Sequence, residues 1–72
     1  MSSISEYRRR ARAAARADDY SQSGDFYRLA GDWQKATEMY LRGGHFDLAA
    51  GLAEEMGDLA AASLHYLKAG DL

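Results

Sequence analysis

Four glycines, Gly31, Gly44, Gly57 and Gly70, stand 13 residues apart along the chain. A fixed spacing of this kind marks a repeat, and here it constrains the fold more than any other feature. Aligned on the glycine, the units read GDWQKATEMYLRG from 31, GHFDLAAGLAEEM from 44 and GDLAAASLHYLKA from 57, followed by Gly70-Asp71-Leu72. One unit upstream, DDYSQSGDFYRLA from 18 keeps the register with Asp18 in the glycine's place. The segment SEYRRRARAAARA from 5 keeps only Tyr7 and small residues near its end.

Apolar or small residues recur at the third, sixth, tenth and thirteenth places of a unit: Trp33, Ala36, Tyr40, Gly43, then Phe46, Ala49, Ala53, Met56, then Leu59, Ala62, Tyr66, Ala69. Steps of three, four and three follow one face of a 3.6-residue helix. The glycine beyond each run suits the left-handed position that ends a helix. Asp32, Asp58 and Asp71 after it suit the N-cap of the next, with His45 in that place in the unit from 44. Arg42 and Lys68 fall in last turns, where a cation complements the helix dipole. The helices are expected over roughly 4–17, 19–30, 32–42, 45–56 and 58–69. Ser21-Gln22-Ser23-Gly24 puts poor helix formers inside the second, which is expected to start late or kink at Gly24.

About ten helical residues make a rod of roughly 15 Å, too short to persist alone in water, so the helices must stack. Connections of two or three residues make consecutive helices antiparallel, and two units then form a hairpin. The expected fold class is all-α, with about five helices in one domain over 1–72. It divides into a basic first helix at 1–17, a hairpin at 18–43, a second at 44–69 and the start of a further unit at 70–72. Composition agrees: with no Cys, neither disulfides nor thiolate metal sites staple the 72 residues. A chain of this size buries only about 60% of its unfolded surface. Nearest-neighbour stacking has to supply the stability.

The pattern G-D-[aromatic]-x-x-A-x-x-x-Y-x-x-[small] occurs at Gly31-Asp32-Trp33-Ala36-Tyr40-Gly43. It recurs, with Leu59 in the aromatic place, at Gly57-Asp58-Leu59-Ala62-Tyr66-Ala69. This pattern resembles the second helix of a tetratricopeptide repeat, and the resemblance spans residues 18–72 by register. Tetratricopeptide repeats run 34 residues, more than two 13-residue units. Helices this short, joined by Ala-Gly-Asp turns, are similar to the compact α-solenoids of coat and transport proteins. The resemblance implies a tetratricopeptide-like solenoid that binds a protein or peptide, with no cofactor and no catalysis.

The formal net charge of −2 conceals a split. Residues 1–16 carry Arg8, Arg9, Arg10, Arg12 and Arg16 against Glu6, a net of +4, and residues 17–72 carry a net of −6. On the first helix Ile4, Tyr7, Ala11 and Ala14 form the expected inward stripe, while Arg9, Arg12 and Arg16 lie on another face. Such a face serves an anionic partner (nucleic acid, an acidic lipid surface or the acidic end of another copy) or is simply a solvated, helix-favouring surface. Nucleic acid is disfavoured, because no aromatic is interleaved with the arginines and the rest of the chain is acidic. Self-association is the better use, since a solenoid fragment has two open ends and the chain stops at Asp71-Leu72 as a unit begins.

Groups for chemistry are sparse. His45 and His65 lack the i, i+4 spacing of a helical zinc pair, and read as a cap or surface residue and a partly exposed helix residue. Ser63 and His65 point in different directions, as do the adjacent Glu54 and Glu55. Arg42-Gly43-Gly44 reads as a helix end, and no glycine-rich phosphate motif occurs. Trp33, Tyr40, Tyr66, Phe46 and Tyr20 recur at repeat positions and read as packing. The expected function is a non-enzymatic interaction or assembly module with no cofactor, metal or small-molecule substrate. Its partner is another polypeptide or copies of itself, as a homo-oligomer or part of a larger assembly. The candidate contact residues are Gln34, Lys35, Glu38 and Arg42 on the third helix and Arg9, Arg12 and Arg16 on the first. No apolar run suits a membrane span or the core of a signal peptide, so a cytoplasmic location is expected.

Overall fold

A computed structural model of the chain describes residues 3–57. They form four helices packed consecutively: α1 (Ser3–Arg16), α2 (Tyr20–Leu29), α3 (Trp33–Arg42) and α4 (Phe46–Glu55). No strand occurs among the described residues. The helix expected at 58–69, the caps at Asp58 and Asp71, and Ser63, His65, Tyr66, Lys68 and Gly70 lie outside them.

The turns explain the 13-residue period. Gly31, Gly44 and Gly57 have φ of 80°, 76° and 80°, and Asp18, which stands in the glycine's place, has φ 60°. At the first three turns the N–H of this left-handed residue reaches back three residues and the next N–H reaches back five. Asp19 N–H donates to the Ala14 carbonyl (2.9 Å), Asp32 N–H to Tyr27 (2.9 Å) and His45 N–H to Tyr40 (2.8 Å). This is the Schellman arrangement, which satisfies carbonyls left open at a helix end. The residue that closes one helix is also the N-cap of the next. An Asp19 carboxylate oxygen accepts from Gln22 N–H (3.2 Å) and an Asp32 oxygen from Lys35 N–H (3.3 Å). His45 occupies the position without a side-chain cap bond. Ten helical residues in each of α2, α3 and α4, plus three turn residues, make one unit.

Burial concentrates in the central turns of these short helices. The sixth places, Ser23, Ala36 and Ala49, are all 0% exposed. Small side chains there let neighbouring helices approach closely, and Tyr27, Met39, Tyr40 and Leu52 fill the space between them. The Ser23 hydroxyl donates to the Ala11 carbonyl (2.7 Å), so this buried polar group is satisfied and ties α2 to α1. The rings of Tyr7 and Phe26 stack 6.4 Å apart across the same interface.

Three expectations are corrected. First, α2 neither starts late nor breaks at Gly24. That glycine is buried, and a Cβ on it would lie 2.4 Å from a Tyr40 ring carbon, so the position serves close packing of α2 on α3. Second, the inward stripe fades at the helix ends: Trp33 and Met56 are exposed, and so is Ile4 on α1. Ten-residue helices that cover each other at their middle turns leave first and last residues at the margin. Third, Trp33 is consequently not a core aromatic like Tyr40.

Candidate functional site

The last turn of α2 supplies Arg28 and Leu29, and the three-residue turn that follows sets Trp33 as the first residue of α3. Together with Asp25, one turn earlier on α2, and Glu55 at the end of α4, they line an open cleft of about 620 Å³. Leu29 is 60% exposed and Trp33 39%. Two large apolar side chains thus flank a cleft whose other lining groups are charged.

The charged groups are held in place. The Arg28 guanidinium pairs with the Glu55 carboxylate, linking α2 to α4 across the intervening helix in sequence. Both side chains are about half exposed, so the pair contributes at most about 1 kcal/mol, and it joins α2 to α4 at the rim. Asp25 accepts a hydrogen bond from the Tyr40 hydroxyl. Burial pushes the Tyr40 phenol well above its ordinary range, with the bond to Asp25 and the Asp25 charge acting in the same direction. The phenol therefore remains a donor and holds the Asp25 carboxylate at the cleft. Chemically the site offers apolar contact area bordered by two carboxylates and one guanidinium. Among the described residues no group of three or more His, Asp or Glu is placed to hold a metal ion.

The residues predicted from sequence are all at the surface. Gln34, Lys35, Glu38 and Arg42 are exposed along α3, following Trp33. Lys35 leans back over α2, its Nζ 6.0 Å from the centroid of the Tyr27 ring, a cation–π distance. Arg9, Arg12 and Arg16 are exposed along α1. Glu6 takes Arg9 and Arg10 (Arg10 Nε to Oε1, 3.0 Å), and the Arg10 hydrogen bond is the main reason its carboxyl is held below the usual range. Arg12 and Arg16 have no carboxylate within 4 Å among the described residues, and neither has Arg8. The two predicted sets remain on separate helices.

Sequence reasoning missed Asp25, Arg28, Leu29 and Glu55, and placed Trp33 in the core. Periodicity alone gave no signal for Leu29: it stands off the third-sixth-tenth-thirteenth stripe, but so do the buried Met39 and Leu52. No protein-family model, curated protein or solved structure matches the chain. Fold and site together define a small all-α domain of consecutively packed helices in a repeat-like arrangement. No helix among the described residues is long and apolar enough to cross a membrane.

Proposed function

We propose that the protein is a non-enzymatic protein-interaction module, a tetratricopeptide-like solenoid of short helices paired as antiparallel hairpins, and that a partner polypeptide docks at the cleft. The observation that supports this most is the exposure of Leu29 and Trp33 at an open cleft whose rim charges are already partnered, Arg28 by Glu55 and Asp25 by Tyr40. Interfaces draw most of their affinity from a few apolar or aromatic anchors ringed by polar groups, and Trp is prominent among them. A partner side chain seated against Leu29 and Trp33 gains about 1.5–3 kcal/mol from burial alone. Gln34, Lys35, Glu38 and Arg42 do not line the cleft and stand around α3 from Trp33, so they would take part only where a partner also wraps onto that exposed face. Neither a cofactor nor a small-molecule substrate belongs to this function, and it suits a cytoplasmic protein.

The test is selection of peptides from a random display library on the intact chain, followed by affinity measurement. Enriched peptides should share an aliphatic or aromatic residue, and Leu29→Ala or Trp33→Ala should weaken them by about tenfold or more, the loss of one interface anchor. Absence of enrichment, or peptides that bind both variants as tightly as the wild type, would defeat the proposal.

A further inference from the structure

The arginines of α1 and the carboxylates of α4 complement each other in charge, spacing and polarity. Glu6 neutralises Arg9 and Arg10, which leaves Arg8, Arg12 and Arg16 exposed and without a carboxylate within 4 Å among the described residues. These three stand at steps of four, so they form one ridge of guanidinium groups about 12 Å long. Arg9, named with Arg12 and Arg16 from sequence, gives way to Arg8 in this ridge. On α4, Asp47 and Glu54 are also exposed, and neither has a basic group within 4 Å among the described residues. They are seven residues apart, hence on one face and about 10.5 Å apart along the axis.

We infer that a second copy of the chain docks its α4 face, through Asp47 and Glu54, against the Arg8–Arg12–Arg16 ridge of the first. With the two helices antiparallel, Arg16 at the C-terminal turn of α1 meets Asp47 in the first turn of α4, and Glu54 falls beside Arg8 and Arg12. The two helix dipoles are then also opposed, as is favourable side by side. The acidic body of the chain is what favours a second copy over a nucleic acid. Residues 17–57 hold eight carboxylates against three basic side chains. A phosphate backbone laid on α1 would bring only negative charge to an acidic body and gain nothing from it. A second copy brings the acidic surface as its own half of the contact. None of these five residues lines the Leu29–Trp33 cleft, so docking at the cleft and self-association succeed or fail separately.

The experiment is sedimentation of the intact chain at low and high salt. The wild type should associate at low salt and dissociate as salt is raised. An exposed ion pair gives about 1.5- to 5-fold in an equilibrium constant, so reversing two charges should weaken association by roughly tenfold or more. Arg12→Glu/Arg16→Glu and Asp47→Lys/Glu54→Lys should each sediment as monomers, and an equimolar mixture of the two should recover a complex. Circular dichroism checks the helices of each variant, and Arg12→Gln/Arg16→Gln replaces the reversal if that chain does not fold. A wild type that is monomeric at low salt, variants that associate unchanged, or a mixture that recovers nothing would overturn the inference. So would binding of a DNA duplex or of phosphatidylserine vesicles through the same arginines without self-association.

Discussion

Gly24→Ala sets two effects of opposite sign against each other. Replacing glycine by alanine inside a helix stabilises it by about 1 kcal/mol when nothing else is touched. Here the added Cβ would lie 2.4, 2.5 and 2.9 Å from three carbons of the Tyr40 ring. Ordinary carbon contacts are about 3.5–4 Å, so the ring must retreat by about 1 Å. It is 1% exposed and its hydroxyl is bound to Asp25, the residue after Gly24. Overpacking of this kind costs about 1–3 kcal/mol. Stretching a hydrogen bond to a charged group adds up to about 1.5–3 kcal/mol if the bond is lost. Packing therefore outweighs propensity, and the net destabilisation should be about 1–3 kcal/mol. At about 4–8 °C per kcal/mol for a small domain, Tm should fall by roughly 5–20 °C. Urea unfolding followed by far-ultraviolet circular dichroism measures the change. The same substitution in a Tyr40→Leu background, where the clash is relieved, should be neutral or stabilising. If Gly24→Ala raises the stability of the otherwise unchanged chain by about 1 kcal/mol, the close approach of α2 and α3 is refuted.

The helix junctions and the buried tyrosine carry further tests. Asp18→Gly relieves a left-handed conformation in a residue with a Cβ and should stabilise the fold by about 0.5–1 kcal/mol, less the weak Tyr20–Asp18 hydrogen bond. Gly44→Ala, at φ 76°, should destabilise it by about 1 kcal/mol in the same assay. His45→Asp supplies the side-chain cap that α2 and α3 have and α4 lacks, and should raise stability by about 1 kcal/mol in thermal unfolding. The Tyr40 phenol is raised mainly by burial, so the folded state holds that proton more tightly than the unfolded state. Its contribution is fully present below the unfolded value near about 10 and is lost as pH rises above it. Tyr40→Phe should therefore flatten the alkaline limb of a stability–pH profile, and an unchanged limb would contradict the burial of this phenol.

The turns were legible in the sequence because each uses a residue type for one physical purpose. Gly31, Gly44 and Gly57 take the left-handed position, Asp32 caps, and Asp18 substitutes for glycine because Asp tolerates that conformation better than most residues. The sixth-place small residues were legible for the same reason, since only small side chains suit a crossing point. Gly24 was misread because composition alone treats glycine as a helix breaker, while its use here depends on Tyr40, sixteen residues away. The cleft was illegible because Arg28 and Glu55, on α2 and α4, come together only once α3 has packed between them in the chain order. Trp33 was placed wrongly because periodicity gives the direction of a side chain around a helix but not how far the neighbouring helix extends to cover it.

Trp33 is the only tryptophan in the chain, and it lines the cleft. Its fluorescence on titration with a peptide selected by display therefore reports directly on the place where a partner docks. Docking against Leu29 and Trp33 predicts a saturable blue shift and reduced quenching by acrylamide, both moved to about tenfold or more higher peptide concentration in Leu29→Ala. Saturable binding of a labelled peptide by anisotropy, with Trp33 emission and quenching unchanged, would show that the partner binds elsewhere.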